Sequence, residues 1–257
     1  MTDIHKTAIV SSDAELANDV TVGPYSIIEG PVKIGKGTSI AAHAIITDNT
    51  TIGENCKISP GAVIGTEPQD LKFEGEESEV KIGNNVTIRE YVTINRATEE
   101  SRLTCVGDNS LLMAYVHVAH DCHLGKNVIL ANTVQMGGHV HIHDYAIIGG
   151  VTALHQFVSV GAHSMIGGGY RATMDMVPYG IAMGYPLKIA SVNRIGLERR
   201  GFSKESIDII KSAFRILFNS PYNTSDAVKK IQEELPLTEE IKTILDFIAR
   251  SRRGIIK

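Results

Sequence analysis

The chain has 257 residues, 43% hydrophobic and 21% charged, enough apolar material to bury a core and too much for a disordered chain. The net charge of −4 favours no class of partner, and with 5% aromatics and no tryptophan the core must be filled by regular layers of small aliphatic side chains. No run reaches the roughly 18 apolar residues of a membrane span, the start MTDIHKTAIV is no signal peptide, and three scattered cysteines (Cys56, Cys105, Cys122) exclude a disulfide framework. The expectation is a cytoplasmic protein without stable membrane insertion.

From Ile4 onward every sixth residue is aliphatic: Ile4, Val10, Leu16, Val22, Ile28, Ile34 and so on to Val160 and Ile166. Of the 28 positions in this phase only Asp70, Glu76 and Glu100 fail. The following residue is often glycine (Gly23, Gly35, Gly53, Gly83, Gly107, Gly125), and the residue two before is small or β-branched (Ala8, Ser26, Ala44, Cys56, Val86). A period of six fits neither a helix nor an ordinary strand and turn, so it marks a repeat architecture. Each hexad reads as a short strand and a corner, with the aliphatic side chain inward and the glycine relieving the corner backbone. Three hexads close an 18-residue coil, and coils stack at about 4.8 Å. The fold expected for residues 4 to about 170 is a left-handed, three-sided parallel β-helix, in a domain covering 1–186.

Two polar, acidic stretches interrupt the phase: 65–81 (GTEPQDLKFEGEESEVK) and 95–105 (NRATEESRLTC). They read as loops ejected from the solenoid, either plain surface excursions or carriers of binding residues on a rigid scaffold.

Beyond 186 the period becomes helical. Ser203 caps a helix with Ile207, Ile210, Phe214 and Leu217 on one face, and Val228, Ile231 and Leu235 line a second that Pro236 ends. Thr238 caps a third with Ile241, Ile244, Leu245 and Ile248. The reading is a C-terminal α-helical domain at 187–257. It holds 14 Lys and Arg against 9 Asp and Glu, a net of +5, leaving 11 against 20, or −9, for 1–186. The basic charges are dispersed along helices, which suits an acidic protein partner or a solvated face better than nucleic acid.

None of the ten histidines falls at an inward position of the repeat, so core packing does not account for them. Six crowd between His117 and His143. Residues 18 apart stack one coil above another, which sets His120 beneath Gly138 and then Gln156, Asp121 with His139, and His117 with Gln135. A base, a carboxylate beside it and an uncovered glycine backbone are the parts of an acyl-transfer site. The alternatives are zinc held by histidines between subunits, as in a carbonic anhydrase-like trimer, or histidines packed at an interface. Cys122 occupies an inward position, which argues against a Cys–His nucleophile.

The segments LLMAYVHVAHDCHLGKNVILAN, MGGHVHIHDYAIIGGVTALHQFVSVGAH and VNRIGLERRGFS, with the PQDLKFEGE loop and the ending FIARSRRGIIK, closely resemble the UDP-N-acetylglucosamine O-acyltransferase family of lipid A synthesis. The resemblance spans nearly the whole chain. It implies a homotrimer with sites between neighbouring solenoids, no cofactor or metal, and transfer of a 3-hydroxyacyl chain from acyl carrier protein to the glucosamine 3-position of UDP-N-acetylglucosamine. It further implies His120 as general base, Asp121 as its orienting partner and Gly138 as oxyanion donor. His117, His139, His155 and Gln156 would line the sugar and acyl site, with Asp70 and Lys72 reaching it from the first loop. Asn193, Arg199 and Arg200 would hold the UDP, Gly168 would set acyl length, and the basic helical domain would dock the carrier. Ile195 departs from the pattern, standing where some members carry glutamate. A related sugar N-acyltransferase, with a 3-amino acceptor, is the nearest alternative.

Overall fold

The computed structural model describes residues 2–257. Three sheets of 11, 9 and 8 strands run along the repeat, and strands consecutive in the chain belong to different sheets. Thr21–Val22 lies in the first, Ile27–Ile28 in the second, Lys33–Ile34 in the third, and Ser39–Ile40 returns beside Val22. Val22 pairs with Ile40 and Ile28 with Ile46, so one coil takes 18 residues and the predicted left-handed parallel β-helix is the fold observed.

The in-phase aliphatics form the core. Ile28, Ile46, Ile64 and Ile94 stack along the second sheet with no exposed surface, and Ala44, Cys56, Ala62 and Val86 are buried beside the corners. Each such aliphatic stabilises the coil by roughly 1.5–3 kcal/mol through burial. Ile4 is 45% exposed because the first coil has a neighbour on one side only.

The corner glycines act differently from the expectation. Gly53 does not take a left-handed conformation; a Cβ there would sit 2.6 Å from the Gly83 carbonyl oxygen of the next coil. It is small so that successive corners can approach. The left-handed position lies two residues later and is held largely by other residue types, among them Asn55, Asn85, Asn109 and Asn127, with φ between 54° and 59°. Asparagine tolerates that region through local hydrogen bonding.

Both ejected loops are shorter than their broken phase suggests. The strands Val63–Thr66 and Glu79–Ile82 leave 67–78 as the first, and Thr93–Asn95 and Leu103–Val106 leave 96–102 as the second. Both depart from the corner between the second and third sheets.

Past the repeat, Gly180–Met183 extends the first sheet in parallel and Lys188–Val192 returns antiparallel to it. The expected division at 186/187 falls inside this hairpin. Gly184, at φ 98°, turns the chain back onto the sheet before it departs. Helices follow as α1 (Arg194–Arg199), α2 (Lys204–Phe218), α3 (Thr224–Glu234) and α4 (Glu239–Arg250). Ser203 and Thr238 cap α2 and α4 as read from the sequence, while α1 and Asn223, the cap of α3, were not anticipated. Ile207, Ile210, Phe214 and Leu217 of α2 are buried with Ile231, Ile241 and Ile244, whereas Val228, Leu235, Leu245 and Ile248 are half-buried and Ala227 and Phe247 are also part of that core. Among the described residues no helix is long and apolar enough to cross a membrane.

The chain then doubles back. Ile255 joins the helical core, and Ile256, 4% exposed, joins the solenoid core and closes its end, fixed by its N–H to the Asp175 carbonyl at 2.9 Å. Ile256→Ala is expected to cost about 2–4 kcal/mol, a fall of roughly 5–10 °C in Tm. An unchanged calorimetric Tm would show that the tail does not seal the end.

Candidate active site

The corner between the second and third sheets carries, in successive coils, the first loop, the second loop, His120–Asp121, Gly138–His139 and Gln156–Phe157. A regular solenoid therefore stacks these groups in one column.

Asp121 takes the left-handed corner conformation at φ 58°, and its side chain is fully buried beneath the second loop. Burial raises the energy of its charge, but His120 Nδ1 at 2.7 Å, the hydroxyls of Ser101 and Thr98, and the N–H groups of Thr98 and Ser101 all donate to it. These donors outweigh desolvation and hold the carboxyl well below the usual carboxylate range. An ionised Asp121 can only accept, so Nδ1 of His120 carries a proton, and in the neutral imidazole it is Nε2 that presents the lone pair. That nitrogen faces Gly138: a Cβ there would lie 2.5 Å from Nε2 and 2.3 Å from Cε1. The Gly138 N–H donates to no acceptor among the described residues, while its carbonyl accepts from Phe157 N at 3.1 Å.

His139 stacks on Phe157 with centroids 4.4 Å apart and meets His120 edge-on at 5.1 Å. His117 stacks in register with Gln135 as predicted, with Nδ1 2.7 Å from Thr93 Oγ1. Burial, then the charge of His120, lowers its tendency to protonate. His155 is half-buried, its Nδ1 3.2 Å from the Gln156 carbonyl, and Gln156 is exposed with its N–H against Gly137. The six crowded histidines thus divide in space. His123 and His141 stack on the third sheet at 4.9 Å, and His143 lies against Phe247 of α4.

His120, Asp121 and His139 are the one described set close enough to share a metal ion. Both Asp121 oxygens, however, already accept from neutral donors, which suits a hydrogen-bonded relay better than zinc. Cys122 is inert: burial pushes its thiol up to about 12.

The other expected residues lie elsewhere. Asp70 and Lys72 sit on the first loop, where Asp70 Oδ1 accepts from the Lys72 N–H at 3.0 Å. Arg96 anchors that loop's base through Asp48 at 2.9 Å and Glu67 at 3.4 Å, and lies over the Phe73 ring. Gly168 is exposed on the corner between the first and second sheets, where a Cβ would stand 3.0 Å from the Gly150 carbonyl oxygen. Asn193, Arg199 and Arg200 lie by the third corner. Asn193 is buried; its Oδ1 caps α1 and its Nδ2 donates to the His163 carbonyl at 2.8 Å. The two arginines diverge: Arg199 is exposed, whereas Arg200 Nη2 donates to the Tyr145 carbonyl at 2.9 Å and Nη1 is buried with no protein partner.

His163, stacked between Tyr145 and Tyr179 at this junction, is pushed down to about 4 by burial and then by the charge of Arg200. Its lowered value means that the stabilisation is fully present above the unfolded value of about 6.5 and is lost as pH falls toward 4. His163→Phe, which keeps the stack, is therefore expected to flatten the decline of Tm across that window; an equally steep decline would place the acid sensitivity elsewhere.

Sequence reasoning missed Thr98, Ser101 and Arg96. Their only signal was membership of a polar loop at the same corner as His120.

Comparison with known proteins places the whole chain in a family. Residues 175–256 match the family model for domain 2 of UDP N-acetylglucosamine O-acyltransferase, and 13–48, 31–66 and 106–138 match the bacterial transferase hexapeptide repeat. The chain is 48% identical over 258 residues to an acyl-[acyl-carrier-protein]–UDP-N-acetylglucosamine O-acyltransferase of Thermodesulfovibrio yellowstonii, covering 100% of both chains. It is 45% identical over 256 residues to the protein of that name in Syntrophobacter fumaroxidans, covering 99% of each. The crystal structure of a UDP-N-acetylglucosamine acyltransferase from Bacteroides fragilis superposes with a TM-score of 0.97 at 46% identity, over 98% of this chain and 99% of that one. With identity of this degree along its entire length, the chain belongs to the UDP-N-acetylglucosamine O-acyltransferase family.

Proposed function

We propose that this protein transfers a 3-hydroxyacyl chain from acyl carrier protein to the 3-hydroxyl of UDP-N-acetylglucosamine, the first step of lipid A synthesis. The observation that carries this reading is the pairing of an Nε2 lone pair on His120 with the N–H of Gly138, which has no side chain to keep a substrate away. His120 takes the proton of the sugar hydroxyl as its oxygen attacks the thioester carbonyl. The tetrahedral oxyanion lies against the Gly138 N–H, and Asp121 stabilises the imidazolium. Collapse breaks the carbon–sulfur bond, and the leaving thiolate takes the proton from His120. His117, His139, His155 and Gln156 line the sugar and acyl site around this centre, and Gly168 leaves room for a longer chain.

A homotrimer is part of the proposal. Within one chain His120 and the nucleotide residues Asn193, Arg199 and Arg200 occupy different corners of the prism, so a neighbouring copy is needed to bring such groups together. Asp70 and Lys72 would reach the neighbour's substrate from their loop. Arg199 is free to meet the pyrophosphate, while Asn193 and Arg200 hold α1 in place. The basic helical domain docks the acidic carrier, in a cytoplasmic enzyme.

The test is mass spectrometry of purified protein mixed with UDP-N-acetylglucosamine, or its 3-amino analogue, and 3-hydroxyacyl carrier proteins of several lengths. An ester product with the hydroxyl acceptor is expected. Product from the amine alone would reassign the protein as an N-acyltransferase, and no product from either would refute acyl transfer.

A further inference from the structure

We infer that Thr98 and Ser101, on the loop at 96–102, are positioning residues that hold the base His120 in its reactive orientation through Asp121. The inference rests on the reading of His120 as base. The geometry is specific. Thr98 reaches Asp121 Oδ2 with its hydroxyl at 2.8 Å and its N–H at 3.2 Å, and Ser101 reaches Oδ1 with its hydroxyl and with its N–H at 3.2 Å. Oδ2 is also the atom that accepts His120 Nδ1. The two hydroxyls therefore fix the carboxylate plane, and the carboxylate fixes the ring rotation that aims Nε2 at Gly138. The corner backbone is tied separately, by Asp121 N–H to Thr104 Oγ1 at 2.9 Å, which leaves the loop hydroxyls acting on the carboxylate itself. The loop is not loose: Arg96 at its start bridges Asp48 and Glu67, and Asn95 Nδ2 donates to the Glu67 carbonyl at 2.8 Å. What resembles a surface excursion in the sequence supplies the donors that hold Asp121.

A structural role and a positioning role give different readouts. Thr98→Val keeps the shape of the side chain and Ser101→Ala removes only a hydroxyl. The double variant is expected to lose about tenfold in kcat, the effect of losing hydrogen bonds to a charged group, with KM for UDP-N-acetylglucosamine within about twofold. In the Ser101→Ala background Thr98→Ser, which keeps the donor, should retain the activity that Thr98→Val loses.

The pH profile adds a signature. The charged and titratable groups around His120 are Asp121, His117 and His139, with Glu100 3.5 Å beyond His139. Removing two donors leaves more negative charge on Asp121 to stabilise the imidazolium, so the base stays protonated to higher pH. The acidic limb of the kcat/KM profile should then move up by about half a pH unit.

The deciding comparison is the same pair of substitutions made in Asp121→Ala. With no carboxylate to hold, they should cost less than about twofold further. A full further loss in that background, or a folded Thr98→Val/Ser101→Ala variant with unchanged kcat and pH profile, overturns the inference alone. Wild-type activity in Asp121→Ala itself would overturn it together with the reading of His120 as a base oriented by Asp121.

Discussion

His120→Ala is expected to lower kcat about a thousandfold while leaving KM for UDP-N-acetylglucosamine nearly unchanged. The imidazole is the one group at this corner that combines a lone pair with an ionised partner holding its other nitrogen. A general base in that position contributes roughly 10² to 10⁴ in rate, nearly all of it in the transition state. The substitution leaves the inward aliphatics Val118 and Leu124 in place, so the fold should survive and the melting curve should move little. Steady-state kinetics on the acyl-carrier substrate decide the matter. A variant within a few-fold of wild type would mean that some other group deprotonates the acceptor.

Gly138→Ala should be almost as damaging, although it adds a single carbon. Gly138 does not take a left-handed φ, so alanine meets no backbone strain there. The obstacle is the His120 ring, which the new Cβ would approach to 2.3 Å. The ring must rotate away, taking Nε2 off its line and covering the N–H proposed to meet the oxyanion. Loss of one oxyanion donor alone is worth about 10²–10³ in kcat. We therefore expect a fall of at least about a hundredfold, measured in the same assay, with a folded protein. In a His120→Ala background the clash vanishes, and the methyl should cost much less. A mild effect in the wild-type background would remove Gly138 from the oxyanion site.

Periodicity made the solenoid legible because a strand that faces a closed core has no choice at its inward position. Ile28, Ile46 and Ile64 announce themselves however the loops vary. The same period sets His120 under Gly138, since stacking by 18 residues is a geometric consequence of three-sided closure. What it could not show was the purpose of the corners. Gly53 and Gly83 read as conformational relief but serve close approach between coils, and the left-handed position fell to Asn55 and Asn85, which the aliphatic phase does not mark. The hairpin at 180–192 was invisible for a related reason. It abandons the six-residue phase, and its two glycines and Pro186 resemble a linker. Thr98 and Ser101 carry no periodic signal at all. Only folding the loop back onto Asp121 gives them a role. Arg199 and Arg200 looked like a pair in sequence, yet one turn of chain sends them to different surroundings, one to solvent and one to the Tyr145 carbonyl.

A crystal structure with UDP-N-acetylglucosamine bound shows whether His120 Nε2 meets the acceptor hydroxyl. The glucosamine 3-oxygen is expected within about 3 Å of Nε2, in hydrogen-bond reach for proton transfer, with the Gly138 N–H open on the side where the thioester arrives. A sugar bound with its 3-oxygen on another residue, and His120 turned away from it, would contradict the mechanism even if the reaction itself were confirmed.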